Sequence, residues 1–316
     1  MFDNYIDFSS MHDSIKKRNK VNALIIMAAV ILLAVARVIL TRFHVDPDMH
    51  FYTSVYIRFF DYAIAAGITA LYIGSAFVYK YKRDEHNYSA ASDSFVQGTL
   101  TLVFSASVAA FFLAFSAGLQ IWNLFADSAE GAPATEVLIG YARNNPLEIF
   151  IFIAAILSSI YFFRTAALNH DAGADVTSGD EFLSKEYSQR YIIMSLMPIA
   201  WSLLNTFRCF FDMSRAVNSP VRIYELMCFL ALSAYFVSES RMLIGRLRIA
   251  RFFTFAYIAV IFIALSALPN LILSSFWGVM QTNEAHIVYA VQLAFALYIA
   301  ARIYSQIKYG RFSLER

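Results

Sequence analysis

The chain has 316 residues, 59% of them hydrophobic, 16% aromatic and only 15% charged, with a net charge of +2. Water-soluble domains carry about 45–50% apolar and about 25% charged residues, so this composition excludes an ordinary soluble globule and points to repeated passage through lipid. The two cysteines, Cys209 and Cys228, stand in no metal or disulfide spacing. The chain also has no nucleotide-binding glycine motif, no hydrolase or metalloprotease motif and no long basic tail. Nucleic acid is therefore not expected as a partner, and no cofactor is expected.

Residues 1–20 form a polar head ending in Lys16, Lys17, Arg18 and Lys20. The first apolar span runs from Val21 to about Arg42. Ala34-Val-Ala36 has the small residues of a signal cleavage site, but the head carries Asp3, Asp7 and Asp13 and the apolar run continues past Arg37, so the span is read as retained. Further spans are expected at about 51–81, 95–126, 146–168, 191–211, 221–243, 252–279 and 286–307. Each reaches about the 20 residues needed to cross a hydrocarbon core of about 30 Å. Backbone polar groups in lipid must pair within their own segment, and continuous rather than alternating apolar runs exclude a membrane β-barrel. The expected fold is all-α, a polytopic transmembrane helical bundle of about eight spans. It divides into a cytoplasmic segment 1–20, a first four-helix half 21–168, a linker 169–189, a second half 190–308 and a tail 309–316.

Most of the 25 basic residues fall on one face, in the head, at Lys80, Lys82 and Arg83, at Arg164, Lys185 and Arg190, at Arg241 to Arg251, and in the tail. The positive-inside rule makes that face cytoplasmic, with both termini on it, in a cell membrane. A four-plus-four repeat is suggested by Arg58-Phe-Phe-Asp61 and Arg222-Ile-Tyr-Glu225, which open the second span of each half. An even number of spans per half would make such a repeat parallel.

Charge at membrane depth is costly and draws attention to function. The outer ends of spans one, two, five and six gather Arg37, Arg42, Arg58, Asp61, Arg208, Asp212, Arg215, Arg222 and Glu225. Local spacing pairs Arg58 with Asp61, Arg208 with Asp212 and Arg222 with Glu225. Arg37, Arg42 and Arg215 are left over, which predicts an outward cationic pocket suited to a carboxylate or phosphate. The bland alternative is that these arginines snorkel to the interface and tie helix ends together. Glu239 and Arg241 read as a helix-end pair. Pro269 predicts a kink in the seventh span, with Asn270 re-pairing the freed backbone and bonding to Gln292 of the eighth. His44, Asp46, Asp48 and His50 include zinc- or manganese-type ligands, but Pro47 favours a plain polar turn. The tyrosines and tryptophans near span ends, Tyr191 and Trp122 among them, read as interfacial anchors. Ala109 and Ala110 with Ala114, Ser116 and Gly118 permit a close helix approach.

Three function classes follow. The first is a transporter or permease, with Arg37, Arg42, Arg58, Arg208, Arg215, Arg222, Asn270 and Gln292 binding an anionic solute or lipid head group. The second is a non-catalytic sensor or subunit that docks a membrane-protein partner or a second copy of itself. An intramembrane lipid enzyme comes third. The transporter reading lacks one feature, an acid deep in the membrane that could couple transport to an ion.

Overall fold

The computed structural model describes residues 8–46, 52–81, 99–126, 134–175, 189–212, 219–244, 249–277 and 283–309. Ten helices make up nearly all of them: α1 (Phe8–His44), α2 (Val55–Tyr81), α3 (Leu100–Ala126), α4 (Ala134–Asn144), α5 (Pro146–Asp175), α6 (Gln189–Met194), α7 (Met197–Phe211), α8 (Pro220–Leu243), α9 (Ile249–Trp277) and α10 (Asn283–Tyr309). Among the described residues seven stretches are long and apolar enough to cross a membrane: Ala23–His44, α3, Pro146–His170, the α6–α7 pair, α8, Arg251–Ser275 and His286–Ile307. The protein is a multi-pass, all-α membrane protein. The eighth expected crossing rests on α2, which is 27 residues long and uncharged from Tyr62 to Tyr79.

Six helices close into a circle. α9 packs on α10, α10 on α3, α3 on α5, α5 on α7, α7 on α8, and α8 back on α9. The centre is filled by aromatic side chains. Phe162 of α5, Trp201 of α7, Phe229 and Phe236 of α8, and Phe295 and Tyr298 of α10 meet at centroid distances of 5.0–6.0 Å, mostly edge to face. Lipid supplies no hydrophobic force between helices, so this dense packing is what holds the circle together. α3 and α5 approach most closely. Ala106, Ala109, Ala110 and Ala117 are buried at their contact, where Ser159 Oγ donates to the Ala110 carbonyl at 2.8 Å. Ala114 and Gly118, expected to share that face, point outward.

α1 and α2 stand outside the circle. α1 lies along α9, while α2 makes lighter contact with α9 and α1. The two halves are thus not packed alike. In the second, each helix from α7 to α10 packs on its successor; in the first, α1 pairs with α9 and α3 with α10.

The fifth span differs from expectation. It is not one helix: it breaks at Ser195–Leu196, with Pro198 opening α7. α8 holds the break, because Ser195 Oγ donates to Ser240 Oγ at 2.9 Å and Ser240 Oγ lies 3.2 Å from the Ser195 carbonyl. α9, by contrast, continues through Pro269 to Trp277. α5 runs on to Asp175, into the segment read as linker, and a short helix, α4, precedes it where the sequence suggested only loop.

Candidate functional site

Two buried ion pairs sit at opposite ends of the bundle. Tyr224 and Glu239, which mark them on α8, are 15 residues apart in the chain, so about 22 Å separates them along the axis.

At one end Arg37 of α1 and Asp61 of α2 pair at 2.8 Å, with 2% and 5% of their surfaces exposed. Tyr224 of α8 places its ring 3.3 Å from the guanidinium carbon, a cation–π contact, and its hydroxyl donates to the Asp61 backbone carbonyl at 3.3 Å. Arg37 also reaches the Pro220 carbonyl at 3.5 Å. The Tyr52 hydroxyl donates to Asp61 Oδ2, the carboxylate oxygen that pairs with Arg37, from the α1–α2 connection, which is pinned by an antiparallel bridge between Val45 and Tyr52. Burial, assisted by Asp61, raises the Tyr52 phenol above its ordinary range. Beside the pair lies a cavity of about 10 Å³, lined by Leu33, Ala36, Arg37, Leu40, Asp61, Ala65, Tyr224 and Leu265. That is room for about one water.

This geometry redraws the expected cationic cluster. Asp61 takes Arg37 as its partner, not Arg58, whose guanidinium lies 5.6 Å from the Phe59 ring. Arg222 donates through Nε to the Cys209 carbonyl at 2.8 Å and through Nη2 to that of Phe210, satisfying carbonyls left open at the end of α7. Arg208 faces Glu148 of α5 at 3.7 Å, both partly exposed. Glu225 is buried on α8, Asp212 follows α7, and Arg42 is exposed. Arg215 lies outside the described residues, as do Asp48 and His50. His44 and Asp46 belong to no metal-holding group among the described residues.

At the other end Glu239 of α8 pairs with Arg302 of α10 at 3.2 Å, correcting the expected Glu239–Arg241 pair; Arg241 is exposed. Tyr298 bridges the two: Arg302 Nε donates to the Tyr298 hydroxyl at 2.9 Å, and that hydroxyl donates to Glu239 Oε1. Tyr191, expected at the interface, is buried here. It stacks on Tyr161 at 5.3 Å and shares a 2.8 Å hydrogen bond with Thr165. The sequence reading passed over Tyr52, Tyr224, Tyr298 and Arg302 as site residues. A tyrosine three or four residues from a buried charge, as Tyr298 is from Arg302, was the available signal.

Asn270 of α9, beyond the Leu265 that lines the Arg37 cavity, and Gln292 of α10 are 2% and 0% exposed. Neither amide makes a hydrogen bond to protein, so the expected Asn270–Gln292 bond and the re-pairing at Pro269 are not formed. Ser266, one turn before Asn270, is likewise buried with a free hydroxyl. Gln292 shares one face of α10 with Phe295, Tyr298 and Arg302. No protein-family model, curated protein or solved structure matches this chain.

Proposed function

We propose that the protein is a transporter of a small polar solute, held here with both ends closed. The observation that supports it is the pair of buried, unpartnered amides at Asn270 and Gln292, in a bundle that also holds two buried ion pairs. A buried amide without a partner costs stability, and in lipid such groups mark solute pathways. A solute offering both a donor and an acceptor would complete them. The arginines alone do not argue for an anion, since Arg37 is balanced by Asp61 and Arg222 is engaged with backbone carbonyls. The Arg37 closure would guard the entrance.

The aromatic filling of the helix circle favours a second reading, a non-catalytic membrane component that acts by docking a partner. A thermal-shift screen of purified protein against sugars, amides, amino acids, organic anions and lipids separates the two. A solute that binds the folded state raises its stability. Under the transport reading the shift disappears in Gln292→Leu and Asn270→Leu, although both variants, freed of an orphan amide, are at least as stable without solute. A cysteine at position 292 should also react with an impermeant thiol reagent from one side of the membrane. No shift with any class, together with an inert cysteine, rejects transport in favour of the docking component.

A further inference from the structure

A membrane carboxylate is normally fully engaged, because each free oxygen is expensive in a water-poor interior. Glu239 is not. One oxygen is taken by Tyr298 and faces Arg302; the other, Oε2, is buried with no full hydrogen bond, and the Tyr235 hydroxyl stands close to the carboxylate. The ionisable groups around it come from every side. Tyr161 lies on α5, Tyr191 on α6, Tyr235 on its own helix, and Tyr298 and Arg302 on α10. α9 contributes Phe252, which packs on Tyr235, and the α6–α7 break contributes Ser195, bonded to Ser240. The hydroxyls of Tyr161 and Tyr235 are buried beside Glu239, the first close to Tyr191 and the second close to the carboxylate itself. Two buried phenols thus stand beside an ion pair whose second carboxylate oxygen has no full hydrogen bond.

We propose that Glu239 is a proton-binding site, and that its protonation releases Arg302 and unlocks this end of the bundle. A hydronium ion gives its proton to Oε2 and leaves as water. The new carboxylic acid donates to the Tyr235 oxygen, and the neutral carboxyl no longer holds Arg302. Ser266 and Asn270 of α9 and Gln292 of α10 are further buried polar groups without partners. The proposal rests on the transport reading in one respect: the proton becomes the coupling ion, and Glu239, a buried acid near the end of α8, the group that binds it.

Infrared difference spectroscopy of the whole protein in lipid tests it without any solute. On acidification the wild type should gain the carbonyl band of a buried carboxylic acid. That band should vanish in Glu239→Gln, shift in Glu239→Asp, and persist in Asp61→Asn. Tyr235→Phe should move its frequency, because the acid loses its acceptor. An acid-induced band that is unchanged in Glu239→Gln and Glu239→Asp overturns the proposal, as does the absence of any band. A band that behaves as expected while no solute shifts thermal stability leaves Glu239 a proton site and rejects only the transport reading.

Discussion

Arg37 and Asp61 are 24 residues apart in sequence, yet their 2.8 Å pair is the strongest polar contact holding α2 to α1. α2 packs lightly elsewhere, so its attachment depends on this pair. Removing one partner strands a buried charge, which typically costs about 3–5 kcal/mol, whereas replacing both by apolar residues is often neutral. Asp61→Ala should therefore free α2 and lower the thermal midpoint strongly. Arg37→Met combined with Asp61→Leu should restore most of the loss. Limited proteolysis of the α1–α2 connection reports the release, and an Asp61→Ala protein as resistant as wild type would refute this account.

Tyr52 closes the same site from outside, and its hydroxyl bonds to a charged acceptor. Tyr52→Phe should cost about 1.5–3 kcal/mol, the range for hydrogen bonds to ionised groups. Burial raises the folded-state pKa of the phenol above its unfolded value. Its contribution is thus complete at neutral pH and falls only as pH climbs past the unfolded value of about 10. Unfolding followed with pH should show an alkaline loss of stability that Tyr52→Phe reduces.

The crossings were legible because apolar length is written locally: a helix in lipid needs about 20 apolar residues whatever its neighbours. Charge partners were not, because spacing rules see only one helix. Asp61 and Glu239 each had a plausible partner three or fewer residues away, and the structure gives each a partner on another element. The α6–α7 connection shows the same limit. The break before Pro198 is held by Ser195 and Ser240, which meet from two helices that no local pattern joins. Asn270 and Gln292 are buried, and their lack of partners depends on side-chain directions that no periodicity encodes.

Arg222 acts as a cap for another helix. Its fork spans the Cys209 and Phe210 carbonyls at the negative end of the α7 dipole. Arg222→Ala should cost about 1.5–3 kcal/mol by leaving these acceptors open. Arg222→Lys should recover only part, since an ammonium cannot span two carbonyls as a planar fork does. Hydrogen exchange should rise in the last turn of α7 and stay unchanged in α10. Uniform loosening of all helices would contradict a capping role.

The α3–α5 contact yields the sharpest comparison, because two alanines on one helix face different surroundings. Ala110 is fully buried beneath α5, and its carbonyl accepts the Ser159 hydroxyl. Ala114, one turn on, is exposed. A leucine at position 110 must push the backbones apart and break that hydrogen bond. Overpacking of this kind typically costs about 1–3 kcal/mol, and close approach is what drives helix association in lipid. The same leucine at position 114 meets acyl chains and should leave stability within about 0.5 kcal/mol. Steric-trap or thermal unfolding of Ala110→Leu and Ala114→Leu side by side measures the difference. Equal effects at the two positions would mean that α3 does not turn this face toward α5.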